Sequence, residues 1–290
     1  MQIKPEEVYV GRSYGSRQVV ITPELVARYC QSIEHSHPWY TGDSPFGGPV
    51  APALVLHSEV YRDTSWYLSA FGNLHAKQEW ELFQPALVGE RVTALRTIVD
   101  RYGKRNREYV VNEVTVLGED GRLLSRARTH QSFLLEEAGQ NQGIVIDKER
   151  ERRPERRFDV EAEAVLEELR GEPKEITLDM CQKFSGPGKN YHTDREMARK
   201  LGFPDIVVQG MMSLCLLSEM MTQRFGTGWF VGGRMNVNLV NVIWQGETVT
   251  AAGIVVDHRP EGTARRAELR VWCEKADGTK AVISSASAID

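Results

Sequence analysis

The chain has 290 residues, enough for two modest domains, and its 41% apolar and 26% charged content is that of an ordinary globular protein. Its 36 basic and 40 acidic side chains are mixed to a net charge of −4, with no basic stripe interleaved with aromatics, so a nucleic-acid partner is not expected. No apolar run approaches the roughly 20 residues of a membrane span, the start MQIKPEEVYVG has no apolar signal core, and four widely spaced cysteines (Cys30, Cys181, Cys215, Cys273) read as buried free thiols; a cytoplasmic protein without a membrane partner is the expectation.

In chain order, Thr22-Pro23 offers an N-cap and an N1 proline, and Leu25, Val26, Tyr29, Cys30 and Ile33 fall on one helical face. A loop follows, then an expected second helix over 50–68. The runs KQEWELF, RVTALRTIVD, REYVVNEVTVLG and RLLSRARTHQSFLL then read as strands, the last two joined by a Glu-Asp-Gly turn as a hairpin. Residues 139–157 include KERERRPERR, a charge run in which acids alternate with bases, which reads as a solvated linker. Beyond it, Thr177 opens a second short helix, and the loop FSGPGKNYHTD leads to a third with Thr193-Asp194-Arg195-Glu196 in capping-box form and Gly202 as its stop. The stretch 207–225, VVQGMMSLCLLSEMMTQRF, is apolar nearly all round and must be buried on most sides, with Met211, Met212, Met220 and Met221 in the core. Four more strand-like runs follow, GRMNVNLVNVIW, ETVTAAGIVVD, RRAELRVWCEK and AVISSASAI, the last two joined at Ala-Asp-Gly.

These two series are copies. Sliding the sequence by 157 residues lays LVGERVTA (87–94) on WQGETVTA (244–251), Phe46 and Val50 on Phe203 and Val207, Val99-Asp100 on Val256-Asp257, and Asp120-Gly121 on Asp277-Gly278. The expected organisation is a first unit over 1–138, the linker over 139–157, and a second unit over 158–290. A buried helix followed by an antiparallel meander requires the sheet to wrap the helix. The fold class is therefore α+β, a double hot-dog.

YHTDREMARKLGFPDIVVQGMM (191–212) resembles the segment of MaoC-like dehydratases and (R)-specific enoyl-CoA hydratases that runs from the catalytic histidine into the hot-dog helix. YCQSIEHSHPWYTGDSPFGGPVAPAL (29–54) resembles the same segment in the N-terminal half of double hot-dog members, and GERVTA preceded by Gln84-Pro85 is similar to the family as well. The resemblance implies a lyase of fatty acid metabolism that adds water reversibly to a trans-2-enoyl thioester. Its substrate partner would be an acyl-CoA or an acyl-carrier-protein thioester, with no cofactor beyond the CoA of the substrate. The family motif reads approximately Ser-Gly-Asp-x-Asn-Pro-x-His, its aspartate and histidine holding one water, and the start of the long helix polarises the thioester carbonyl.

Carried over, Ser185-Gly186 takes the first two positions, His192 the histidine, and Gly210 with Met211 the helix start. The aspartate falls on Pro187, the asparagine on Lys189 and the proline on Asn190; in the first unit the pair falls on His35 and Tyr40, with Pro38 kept. The first unit is thus expected to serve substrate binding and scaffold. His192 is expected to move the proton, aided by a water that Asn190 orients or by Asp194; Lys189 could meet a phosphate or carboxylate, and Gln209 could reach the ligand or cap the helix. His35 and His37 form an H-x-H pair without a third ligand, so no metal is expected. A thioesterase or other thioester lyase, and a non-catalytic acyl-CoA or carrier-protein binding subunit, stand as alternatives. A two-unit chain already mimics a single-unit dimer, and a homodimer of the chain stays open beside a monomer.

Overall fold

The structure, a computed structural model, describes residues 7–62, 74–104, 107–134 and 158–290; the expected linker over 139–157 lies outside the described residues. The first half supplies β1 (Ser13–Val20), α1 (Pro23–Ser32), β2 (Leu74–Leu82), β3 (Arg91–Lys104), β4 (Arg107–Leu117) and β5 (Leu123–Leu134). The second supplies β6 (Glu167–Arg170), β7 (Lys174–Glu175), α2 (Leu178–Ser185), α3 (Arg195–Lys200), α4 (Gly210–Phe225), α5 (Thr227–Gly232), β8 (Arg234–Leu239), β9 (Thr248–Glu261), β10 (Ala264–Lys275) and β11 (Lys280–Ile289).

All strands join one antiparallel sheet in the order β1-β3-β4-β5-β2-β8-β11-β10-β9-β6, with β7 also on β9. The order is a palindrome of equivalent strands, so the two units meet edge to edge at β2 and β8, where Trp80 lies opposite Met235 and Gln78 opposite Val237. This seam removes the edge each unit would otherwise expose. The expected hairpins are β4–β5 and β10–β11, and Gly121 (φ 82°) and Gly278 (φ 84°) take the left-handed turn positions that other residues adopt at a cost. The repeat extends to single bonds. Leu87 N–H donates to Glu90 Oε2 at 3.0 Å and Trp244 N–H to Glu247 Oε2 at 2.8 Å; Val50 bridges to Leu87 and Val207 to Trp244. The fold is a double hot-dog.

Helices α1 and α2 start as expected. Thr22 Oγ1 accepts from Leu25 N–H and Thr177 Oγ1 from Met180 N–H, both at 3.2 Å. Helix α4 is buried without a break from Met211 to Thr222, packed against β6, β9, β10 and β11. It begins at Gly210, not at 207, because Val207 and Val208 are held extended against Trp244 and Ile243. The first unit departs from its copy. Instead of a helix over 50–68, residues 53–56 form turns, His57–Tyr61 is a 3-10 stretch, and 63–68 lie outside the described residues. His57, Ser58, Glu59 and Arg62 deny this segment the all-round apolar surface of α4. The buried Glu59 takes Arg17 and Arg62, each at 2.8 Å, and His57 stacks on Phe184 at 4.1 Å between ring centres. Strands β1, β6 and β7 and helix α5 were not among the expected elements; β1 is largely exposed and has no period-two alternation to read.

Replacing Thr177 by Ala removes the side-chain acceptor that caps α2 and should lower stability by about 1 kcal/mol, as should Thr22→Ala at α1. Urea unfolding midpoints check this; an unchanged midpoint would show that neither cap matters.

Candidate active site

The chain leaves α2 in one defined shape. Gly186 (φ 76°) and Gly188 (φ 108°) both have the positive φ that favours glycine, and Pro187 between them has its φ fixed by the ring. A knot of short bonds follows. Asn190 Oδ1 accepts from His192 N–H at 2.8 Å, Asn190 N–H donates to Thr193 Oγ1 at 2.9 Å, and the Asn190 carbonyl accepts from Thr193 N–H at 3.0 Å and Asp194 N–H at 2.9 Å. Tyr191 lies 3.8 Å from the His192 ring, centre to centre, and stacks on Phe203, part of a small core with Ala198 and Trp244. The half-buried imidazole is therefore gripped from both backbone and ring.

His192 Nδ1 is 2.6 Å from the Val207 carbonyl oxygen. A carbonyl only accepts, so Nδ1 carries the hydrogen and Nε2 is a bare acceptor. Burial pushes the ring's pKa down to about 4, and the bond to Val207 opposes this only in part, so the imidazole is neutral at pH 7. Val207 stands three residues before Gly210, which places the histidine beside the start of α4. There the N–H groups of Gly210 and Met211 have no acceptor within the helix, and the helix dipole favours negative charge beside them. Gln209 Nε2 donates to Ser185 Oγ at 2.6 Å, tying the end of α2 to the start of α4. A Cβ at Gly210 would collide with Leu239 Cδ2 and lie 3.9 Å from His75 Nδ1, so both β8 and the first unit's β2 close on this point.

The structure thus brings Ser185, Asn190, His192, Gln209, Gly210 and Met211 to one place. Asp194 and Lys189 are not brought to the imidazole. Asp194, not Thr193, caps α3: its Oδ1 accepts from Met197 N–H at 3.1 Å, and its carboxylate pairs with Lys189 at 3.2 Å. Thr193 is buried in the Asn190 knot and has no part in the cap, which corrects the capping-box reading. Asn190 acts through its oxygen on the His192 backbone, and Gln209 makes no side-chain cap at α4. The side chain of Met211 is core. A cavity of about 610 Å³ adjoins the loop, lined by Gln182, Pro187, Lys189 and Asp194 among others but not by His192 or Gly210.

A second polar cluster was not expected. Glu219, in the middle of α4 and fully buried, accepts from Tyr29 Oη at 3.1 Å and Tyr40 Oη at 2.5 Å, with His35 Nε2 3.4 Å away. The two motif positions of the first unit, His35 and Tyr40, therefore surround a carboxyl group of the second. Burial lifts the pKa of Glu219 to about 7, against the pull of the tyrosine hydrogen bonds. His37, the other half of the H-x-H pair, instead accepts from Trp39 N–H through Nδ1 at 3.3 Å. The signal for this cluster was present: a lone acid in an apolar helix must be protonated or paired when buried.

Residues 169–272, most of the second unit, match the family model described as MaoC like domain. Solved structures sharing the fold include a MaoC-like dehydratase (16% identity over 97% of this chain and 98% of that one, TM-score 0.70). Another is a MaoC-like dehydratase from Phytophthora capsici (15%, 99% and 98%, 0.69). A third, from Mycobacterium tuberculosis, is described as having a double hotdog fold (12%, 98% and 97%, 0.67). At such identities the likeness carries the fold alone. Comparison with curated proteins returns no match.

The folded-state pKa of Glu219 lies above the unfolded value of 4.5, so the folded state holds the proton more tightly. The stability this gives is full below about pH 4.5 and drains as pH rises to about 7, by roughly 3 kcal/mol at 1.36 kcal/mol per unit. Glu219→Gln, which cannot ionise among Tyr29, Tyr40, His35, Cys30 and Cys215, should flatten that slope. Unfolding midpoints at pH 5 and pH 8 for both proteins decide it; equal slopes would show that Glu219 does not titrate in this range.

Proposed function

We propose that this chain is a hydratase or dehydratase acting on an acyl thioester, working in its second unit. The observation that carries the reading is the Nδ1–H bond of His192 to Val207, which leaves Nε2 as a neutral base beside the free N–H groups of α4. In the hydration direction, a water oxygen bonds to the β-carbon of a trans-2-enoyl thioester while His192 Nε2 takes one of its protons. The alkene electrons move onto the thioester carbonyl, and the resulting enolate oxygen is held by Gly210 and Met211 N–H. The imidazolium then returns the proton to the α-carbon, and dehydration is the reverse. Atoms and charge balance with one base, so the reading does not require the aspartate that Pro187 replaces. The occupation of His35 and Tyr40 by Glu219 supports a single working site, with the first unit as scaffold and pocket wall. The carrier, CoA or an acyl-carrier protein, belongs to the same proposal. No helix among the described residues is long and apolar enough to cross a membrane.

General acid–base help is worth roughly 10²–10⁴-fold, or about 3–5 kcal/mol. His192→Ala should lose turnover by that factor while binding of an enoyl thioester stays within a few-fold. Loss of the enoyl-thioester absorbance without thiol release is the expected wild-type signal. Thiol release would indicate a thioesterase, and saturable binding with neither signal a binding subunit.

Because burial holds the His192 pKa near 4, its base form is already complete at pH 6. The kcat/KM profile should be flat from pH 6 to 8 and fall on the acid side only as pH approaches about 4. A fall centred on pH 6.5 would show an ordinary exposed histidine.

A further inference from the structure

A thioester carbonyl polarised by the start of α4 has its neighbours set by the space around Gly210. A Cβ there would lie 2.0 Å from Leu239 Cδ2 and 3.5 Å from its Cγ, so the end of the leucine side chain already fills the place of a side chain at this position. The Cβ direction at the first residue of a helix runs outward and back towards the N-terminal side. It leaves the same Cα as the bond to the Gly210 nitrogen, so the Leu239 methyl stands beside that N–H and against whatever the N–H holds. The other flank is His75 of the first unit, whose Nδ1 is 3.9 Å from the same point.

The two flanks differ in stiffness. His75 is held at both ring nitrogens: Tyr61 Oη is 3.0 Å from Nδ1 and Gln78 Oε1 is 3.1 Å from Nε2, and that oxygen also accepts from Thr129 Oγ1 at 2.7 Å. Leu239 has a fixed backbone and a hydrocarbon end that no bond holds. It closes β8 opposite Val282, and the next two N–H groups, of Val240 and Asn241, donate to the Ala281 carbonyl at 2.9 and 3.0 Å. Its copy at offset 157 is Leu82, after which the Phe83 and Gln84 N–H groups donate to the Leu124 carbonyl in the same way. The backbones match, yet Leu82 is enclosed at 5% exposure while Leu239 is only half-buried. The second unit therefore keeps open, beside its long helix, a position that the first unit seals.

We infer that Leu239 is a specificity-determining residue of the site: its side chain lies against the acyl α-carbon and favours enoyl thioesters that are unbranched there. This rests on the hydratase reading above. A carbonyl held by Gly210 and Met211 has two neighbours, the thioester sulfur and the α-carbon. The sulfur bears the same methylene arm in a CoA or a carrier-protein substrate, so only the α-carbon varies in bulk. Leu239 is also continuous with the main core, and such a surface takes the apolar acyl arm, not the amide-bearing carrier arm. An α-methyl group must then push the leucine end aside, because the imidazole opposite it is held in place.

The test uses the whole chain with two probes of equal chain length, a trans-2-enoyl-CoA and its 2-methyl derivative, following the enoyl-thioester band. The wild type should prefer the unbranched probe in kcat/KM, and Leu239→Ala should narrow that ratio by about tenfold, the usual weight of one methyl group in a pocket. Leu239→Val should narrow it less, and it carries the test if the alanine variant is unstable. A second arm reads the contact itself. Gly210→Ala sets a methyl 2.0 Å from the leucine end and should lower turnover of the unbranched probe about tenfold, and adding Leu239→Ala should recover much of that loss. If the wild type hydrates both probes equally well, if the ratio is the same in the folded leucine variants, or if the two losses simply add, this inference fails and the hydratase reading stands. A wild type that hydrates neither probe overturns both.

Discussion

Helix α4 has no polar face, and the rest of the molecule follows from that constraint. A helix apolar on all sides cannot rest on one surface of a sheet; it has to be enclosed. Its own unit supplies β6, β9, β10 and β11, and the first unit closes the remaining side with Tyr29 and Tyr40 reaching its midpoint. The two sheets join at β2 and β8 in a way that leaves neither inner edge open. Enclosure has an electrostatic consequence as well. The one acid within the buried run, Glu219, has no water to solvate it, so the first unit must provide donors or the carboxyl must keep its proton. It does the first with two phenols, and burial biases the second.

Near its C-terminal end α4 reaches the surface through Gln223 and Arg224, and its N-terminal end meets the loop that carries His192. There the unsatisfied N–H groups of Gly210 and Met211 coincide with the loop that ends at His192, and the joint is a backbone one: the Val207 carbonyl that precedes the helix is the acceptor that orients the imidazole. Rigidity in the loop and rigidity in the helix are therefore one property. Gly186, Pro187 and Gly188 fix the path, the Asn190 knot fixes the turn, and Val207 fixes the ring. Pro187 adds stiffness, which suits an imidazole set by a hydrogen bond to backbone and not by a neighbouring charge.

Much of the fold was legible because repetition makes weak signals additive. Eight strand runs, two hairpins and two threonine caps fall where the sequence pattern places them, since alternation, Asp-Gly turns and cap chemistry are local. The misses are non-local. Strand β1 is an exposed edge without alternation, and over 53–62 the expected helix yields to the partners that His57 and Glu59 find elsewhere. In the candidate site, Ser185, His192 and Gly210 were placed by resemblance to the family motif and Gln209 by its position before Gly210, but the contacts they make were not. Asp194 as a cap, Gln209 on Ser185, and the Tyr61–His75–Gln78–Thr129 chain depend on which segments the sheet brings together, and a linear pattern does not state that.

The two units began as one pattern and now divide its tasks, and a single exchange accounts for the division. Where the second unit has a histidine with a bare Nε2, the first has Tyr40, a group that donates. Where the first unit's segment has Arg62, the second has Glu219, a group that accepts. Tyrosine against glutamate makes a buried pair, the Tyr40 hydroxyl donating to the Glu219 carboxyl. The second unit's histidine makes no such pair: it gives its Nδ1–H to the Val207 carbonyl, which leaves Nε2 without a hydrogen of its own beside the start of α4. The same fold position that in the first unit donates into a buried carboxyl therefore presents, in the second, an acceptor next to backbone N–H groups that the helix does not use.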